Sequence, residues 1–379
     1  MTAARTYWST RESMVVRVIA VSWIVAKVMT WKLWNTDRIF PLAPVMDFLT
    51  SPAWFQLGLY IIALATLALL VALPANRSFL ILLILVEILS CLFDQNRWQP
   101  WEFEYLMMMA AIWLNRRDKK SGLELTGWIM VSVYFFSGIQ KMGPTFDLGV
   151  MGFIKSHFGP GQQGRILDGV INHCGYVLGG IETLSSLFLL NGYLRRFGVS
   201  LLIAMHFIII ALFGPWGLHY DLIILPWNGA FAGLGWVLFW KKPSPNPTLA
   251  PFRKGRNLLF AFLLMICPIL NFFGKWDYFL SSALFSFKTP ELFIYVHEET
   301  TPHALVPFYI HTQKPSGENL DTFINVRTWA FRELGVPAYP QKRIYLQIQK
   351  ELSRRYPKLK AVYLMRIHRS GKTLTVNLP

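Results

Sequence analysis

Nine apolar stretches occupy the first 275 residues of the chain, and clusters of lysine and arginine fall on alternate connections between them. The stretches run over about 14–31, 54–73, 78–93, 101–115, 122–140, 173–190, 197–213, 220–240 and 256–273. A helix crossing a bilayer needs about 20 mostly apolar residues, fewer when its end residues snorkel. The pattern therefore predicts a polytopic helical bundle. Basic residues favour the cytoplasmic side. With the amino terminus inside, Arg5, Arg11, Arg77, the Arg116–Lys120 cluster, Arg195, Arg196 and the cluster from Lys241 to Arg256 all fall inside. The outer connections carry only Lys32, Arg38, Arg97, Lys141, Lys155 and Arg165. Nine crossings from a cytoplasmic amino terminus leave the carboxyl-terminal region extracytoplasmic.

Composition agrees: 54% of the 379 residues are hydrophobic and only 15% are charged, against roughly 25% in a soluble domain. The formal charge of +16 is scattered over short loops and forms no single face, which points to anionic lipid headgroups and away from nucleic acid. Met14–Trp31 contains Arg17 and Lys27 and is followed by no small-residue cleavage site, so it reads as a retained helix. Cys91, Cys174 and Cys267 lie in or at the ends of apolar stretches, without metal-ligand spacing. They read as packing residues, with a Cys91–Cys174 bridge left open.

From about Lys275 the composition changes. Leu292–His297, Ala304–His311 and Leu359–Arg366 have the character of strands, whereas Leu320–Leu334 and Gln341–Arg355 carry helical apolar spacing. The chain thus divides into a membrane bundle over 1–274 and a small extramembrane α+β domain over 275–379. That domain has 15 basic and 8 acidic residues, a bias toward a membrane surface or an acidic partner. Lys242–Pro251 (KPSPNPTLAP) is an irregular inner connection.

Ionisable groups at membrane depth are costly, so each is a functional candidate. Glu87, Glu182 and His206 fall near the middle of their stretches; Asp94, Arg97, Glu102, Glu104, Lys141, Asp147, His219 and Asp221 gather at the outer ends. Phe93–Tyr105 (FDQNRWQPWEFEY) joins charges, amides and aromatics around Pro100, a residue suited to a first helical turn. It is either an interfacial hairpin whose charges neutralise one another, with Trp98 and Trp101 among headgroups, or the wall of a cavity open to the outside. Tyr134–Asp147 (YFFSGIQKMGPTFD) ends a helix with aromatics including Phe135, a Ser-Gly pair and Lys141 before Gly143-Pro144 breaks it. Small residues permit close helix approach. A lysine against a partly dry aromatic wall can serve as a base; otherwise it snorkels. Gly159, Pro160 and Gly161 mark a turn in the following outer loop, and Leu148–His157 reads as a helical piece lying on or re-entering the membrane. Arg195–Gly214 leads to His206, either a hydrogen-bonded core residue or part of a site, with Glu182 as its candidate partner. No zinc, haem, serine-nucleophile or phosphate-loop motif occurs.

These segments, YFFSGIQKMG around Lys141, QNRWQPWEFEYL before it and RRFG…MHF…FG after it, resemble the horizontally transferred transmembrane (HTTM) family, whose best known branch is the vitamin K-dependent γ-carboxylases. The resemblance covers roughly residues 10–240. It differs from that branch at Gln140, where the carboxylases carry a second lysine, and at Gln95-Asn96-Arg97, which does not clearly reproduce their Asn-His pair. The resemblance implies a pocket on the outer half of the bundle for a lipophilic quinol or vitamin K-like isoprenoid. Lys141 would be the base, and a protein or peptide would be a substrate at the outer face.

The combined expectation is an all-α polytopic bundle of about nine transmembrane helices with a small α+β domain. Lys141, His206 and Glu182 are the catalytic candidates; Arg97, Trp98, Trp101, Glu102, Glu104, Phe135 and Asp221 are the candidates for binding substrate or quinol; no metal is expected. Rival readings are a non-catalytic subunit assembling a partner through the basic outer domain, a DoxX-like quinone-linked redox protein, and a transporter, for which repeated halves and broken helices are missing.

Overall fold

The computed structural model describes residues 2–158, 173–218, 221–240, 248–286, 288–312, 321–369 and 372–378. Gly159, Pro160, Gly161, Arg165, His219, Lys241 and Lys242 lie outside them, as does most of the Pro-rich connection. All nine apolar stretches are helical: α1 (Thr2–Met29), α2 (Ala53–Ala72), α3 (Arg77–Phe93), α4 (Pro100–Leu114), α5 (Lys119–Lys141), α6 (Cys174–Phe188), α7 (Arg195–Phe213), α8 (Ile224–Gly235) and α9 (Gly255–Phe272). A wide turn over Trp236–Trp240 extends α8.

Four of these helices are long and apolar enough to cross a membrane: α2, α5, α7 and α9, of 20, 23, 19 and 18 residues. The expectation of about nine is corrected to that number on length and composition. At 1.5 Å per residue, α3, α4 and α6, with 17, 15 and 15 residues, fall short of a 30 Å hydrocarbon layer. α1 is long but carries Glu12, Arg17 and Lys27.

Local chemistry sets the ends. The Asn76 side chain accepts from the Ser78 and Phe79 amides at the start of α3, Asp118 accepts from Ser121 N at the start of α5, and Pro100 opens α4. α5 and α6 approach closely because both present glycines. A Cβ added at Gly138 would lie 2.6 Å from Gly179 O, and one at Gly179 would lie 2.5 Å from Gly138 O. Apolar side chains such as Leu85, Phe207 and Ile208 face outward, as lipid-facing surfaces do. Cys91 and Cys174 are not disulfide-bonded. Residues 144–158 form a run of short helical pieces.

The carboxyl-terminal domain is an antiparallel sheet in the order β2-β3-β1-β4-β5, from β1 (Glu291–Val296), β2 (Ile310–Thr312), β3 (Asp321–Asn325), β4 (Ala361–Arg369) and β5 (Lys372–Asn377). Ile294 sits at the centre, opposite Ile324 on one side and Tyr363 on the other. Helices α10 (Val326–Leu334) and α11 (Lys342–Arg355) complete the domain. Two expectations change. Ala304–His311 is mostly a tight helical turn, His303–Phe308, before the short β2. The stretch read as a helix from Leu320 begins as β3, and the helix starts only after Asn325, whose side chain caps it by accepting from Thr328 N. Burial alternates along β3, Thr322 and Ile324 being more buried than Phe323 and Asn325, but polarity in the sequence does not alternate, so the strand did not stand out beside the helical spacing that follows.

The domain packs directly on the 35–47 and 94–99 connections of the bundle. Glu333 of α10 accepts from the Ile39 and Phe40 amides, and the Phe40 ring meets Trp329 edge-on at 4.9 Å. The 94–99 hairpin supplies further contacts. Tyr339 N donates to Asn96 Oδ1 (3.1 Å), Gln99 Nε2 to Pro337 O (3.0 Å) and Arg343 Nε to Gln95 Oε1 (2.9 Å).

Candidate functional site

On α5, Tyr134, Ser137 and Lys141 are spaced three and four residues apart and therefore share a face. That face closes one side of a cavity of ≈ 60 Å³ bounded by α6, α7, α8 and Phe285 of the connection to the outer domain. The three catalytic candidates, Lys141, Glu182 and His206, all line it. The Lys141 ammonium donates to Glu182 Oε2 and to Ser137 Oγ, the latter at 2.7 Å. Both charged side chains are mostly buried, at 14% and 5% exposure, so the pair meets the cavity without opening widely to solvent.

His206 belongs to a second chain of bonds. Asn228 Nδ2 donates to Ile224 O (3.0 Å), which turns Asn228 Oδ1 toward His206 Nδ1 at 2.7 Å. A carbonyl oxygen only accepts, so Nδ1 carries the ring proton. Nε2 is then free to accept from the Tyr134 hydroxyl, also at 2.7 Å. The Tyr134 and His206 rings both pack against Phe231, with centroids 5.9 and 6.0 Å away. The expected Glu182–His206 partnership is corrected: Glu182 pairs with Lys141, and His206 is held by Tyr134 and Asn228. Glutamate and histidine at similar depth were the sequence's grounds for pairing them, but depth does not fix which way a helix is rotated.

Of the other candidates, Glu104 comes nearest, accepting at 2.8 Å from Nε1 of Trp227, whose ring lines the cavity. Asp221 is buried before α8 and accepts from Ile223 N at 3.0 Å. Phe135 packs edge-on against Phe136 and does not line the cavity. Arg97, Trp98, Trp101 and Glu102 lie in the α1–α4 half. Trp98 packs on Phe103, and Trp101 on Trp34 and Tyr105. Arg97 is wholly buried and donates to Leu33 O, Trp34 O, Ser90 O, Ser90 Oγ and Gln56 Oε1. Burial pulls its guanidinium down to about 10, against the nearby Asp94 carboxylate that favours its charge. Burial would raise Asp94, but Arg38 and Arg97 beside it and the Asn96 amide outweigh that and hold it below the usual carboxylate range. Residues 94–99 are therefore a folded joint that receives the carboxyl-terminal domain; of the wider 93–105 segment, Phe93 borders a cleft of ≈ 550 Å³ between bundle and domain, and Phe103 and Glu104 a smaller void.

Sequence reasoning missed Tyr134, Ser137, Trp227, Asn228 and Phe285. Two signals were there to find: the 134/137/141 spacing on one helical face, and Asn228 as a lone amide inside an apolar stretch. Gly175 and Gly179, four apart on α6, also mark the α5–α6 approach that brings Glu182 to Lys141. Among the described residues no cluster of His, Cys, Asp and Glu has the makings of a metal site. No family model, no curated protein and no solved structure matches the chain.

Proposed function

We propose that the chain is a membrane enzyme of the vitamin K-dependent γ-carboxylase-like type, which binds a lipophilic quinol or related isoprenoid and moves protons with Lys141. The observation that carries this reading is the convergence of Lys141, Glu182, Ser137, Tyr134 and His206 on one cavity, with separate partners for the lysine and the histidine. Structural ion pairs in bundles usually close on themselves; this one borders a void. The charged α1 and the shorter helices α3, α4, α6 and α8 are proposed to cross as well, the short ones in a locally thinned bilayer. With those crossings the amino terminus would lie in the cytoplasm and the sheet domain outside, a reading that the charge asymmetry supports.

Donor chemistry fits a quinol. A hydroxyl edge would face the Lys141–Glu182 pair and the Tyr134 hydroxyl, and an apolar ring would lie against Val133, Met205, Ile209 and Phe231. When bound, the quinol would supply an acidic hydroxyl and an oxidisable ring. At ≈ 60 Å³ the cavity has room for about two waters, whereas pockets for drug-sized ligands measure roughly 300–1,000 Å³. The ring therefore enters only when Phe285 and Met205 swing away.

Lys141 as a base must first pass its proton to Glu182, which leaves a neutral amine facing the cavity and a carboxyl behind it. Tyr134, donating to a neutral His206, keeps a second exchangeable proton on the opposite wall. Apolar neighbours exclude bulk water and strengthen each of these contacts.

Mass spectrometry of lipids retained through purification in detergent tests the reading. A stoichiometric quinone in the wild type, lost from Lys141→Met and retained in Lys32→Met at an exposed site away from the cavity, is the expected result. No retained quinone in the wild type, or equal retention in Lys141→Met, would overturn it and leave a non-catalytic subunit as the better account.

A further inference from the structure

A second charged centre lies in the other half of the bundle. Lys27 of α1, Glu87 of α3 and Glu102 of α4 meet with no exposure to solvent at any of the three side chains. Lys27 Nζ is 2.8 Å from Glu87 Oε2 and 3.7 Å from Glu102 Oε2. It also lies 3.0 Å from the centre of the Trp34 ring. Trp23 Nε1 donates to Glu102 Oε2 at 2.6 Å.

Two carboxyl groups thus share one ammonium. Fully ionised, the trio would leave a net negative charge walled off from water, a strongly disfavoured state even after relaxation. The other charged or titratable neighbours do not remove it. Arg97 lies beyond Trp34 and is committed to its own five acceptors next to Asp94. Cys91 on α3 and Tyr105 on α4 add no cation. Independently of the charge count, Glu87 Oε1 and Glu102 Oε1 are each buried without a hydrogen-bond partner, and the two carboxyl groups are within hydrogen-bonding reach of each other. Two carboxyl groups gathered on one ammonium, each with an oxygen that lacks a donor, are what one missing hydrogen atom leaves behind.

We propose that Glu87 and Glu102 hold a single proton between them, making this centre a proton-binding site separate from the Lys141 cavity. One carboxyl is a neutral acid donating to the other, and Lys27 balances the remaining carboxylate. The bound proton satisfies both orphaned oxygens and brings the trio to net zero. It is taken up on folding and held on the far side of α4 from Glu104, so the site stands whether or not the Lys141 cavity is catalytic.

Infrared difference spectroscopy on the full chain in lipid nanodiscs tests this, because a neutral carboxylic acid and a carboxylate absorb in separate bands. Glu87→Gln and Glu102→Gln are each expected to lose one carboxylic-acid band relative to wild type while leaving the carboxylate band unchanged. Either variant leaves one glutamate paired with Lys27, already neutral overall. Lys27→Met is expected to do the reverse, gaining one acid band and losing one carboxylate. Monodispersity and thermal midpoint, read on the same samples, are expected to stay near wild type for the two single glutamine variants and to fall for Glu87→Gln/Glu102→Gln, which strands the lysine. If each glutamine variant instead loses a carboxylate band, both groups are ionised in the wild type and the shared proton does not exist. Collapse of the single variants with a stable double variant would overturn it equally.

Discussion

The two halves of the bundle bury charge in opposite ways. At the 94–99 joint of the α1–α4 half, Arg97 spends its donors on five acceptors and Asp94 takes Arg38, the Ala43 amide and Asn96; these two charged groups face other polar atoms of the protein. Around α5–α8, the Lys141–Glu182 pair and the Tyr134–His206–Asn228 chain face a void. Both halves give the same signal in the sequence, ionisable residues inside apolar stretches. What separates structure from chemistry is whether a group's spare bonding capacity points at protein or at space.

That contrast predicts opposite phenotypes. Arg97→Ala should give the largest loss of stability, about 3–5 kcal/mol, because it leaves buried acceptors without donors and Asp94 short of a cation; a thermal melt in detergent reads it. A melt within about 1 kcal/mol of wild type would mean that water enters that half and the contrast is unsound. Gly179→Ala should come next, about 1–3 kcal/mol, since its Cβ would lie 2.5 Å from the Gly138 carbonyl oxygen. It should also part α5 from α6 and so reduce quinone retention, linking the packing to the cavity. Tyr134→Phe sharpens the other side. It removes one hydroxyl at the cavity wall and leaves the ring on Phe231, so about 1 kcal/mol of stability is expected to go, with a far larger loss of turnover. A silent Tyr134→Phe would assign the His206 chain to structure.

Helices were the legible part of the sequence, because apolar length and basic flanks act locally: all nine stretches are helical, although α1 begins at Thr2, well before the apolar stretch at 14. Crossing a bilayer is a stricter condition, and α3, α4 and α6 are short for it. The site was partly legible. Glu182 and His206 were selected by the cost of their depth, and Lys141 by its aromatic and Ser-Gly segment and the resemblance that segment carries; they converge. Their pairing was not legible, since it depends on helix rotation, set here by Gly138 against Gly179. Arg97 and Glu102 illustrate the limit most clearly. Depth and charge made them candidates equal to Lys141, and only their saturated or self-contained partners, supplied by residues far away in sequence, set them apart.

The joint between bundle and outer domain carries the smaller effects. Asp94 sits below its ordinary value of about 3.9 because Arg38 and Arg97 outweigh the cost of its burial. A depressed folded-state value means that its stabilisation is complete above the ordinary value and is lost as pH falls through the depressed one. Acid should therefore loosen the hairpin that holds Asn96 against Tyr339, seen as faster proteolytic release of the outer domain. Asp94→Asn should flatten that acid limb while lowering stability near neutrality. An unchanged acid limb would place the weak point elsewhere in the joint.

Smallest of all should be the Arg343–Asp277 ion pair, although its geometry is bidentate. The arginine is 49% exposed, and solvent screening with side-chain ordering leaves such pairs about 0.2–1 kcal/mol. A double-mutant cycle on Arg343→Ala and Asp277→Ala should return a coupling in that range, falling further with added salt. A coupling several times larger would mean that the joint is drier than its exposure implies. The outer domain would then be seated by charge as firmly as by Glu333 on the Ile39 and Phe40 amides, and the contrast between a saturated half and an open one would have to extend to the domain above it.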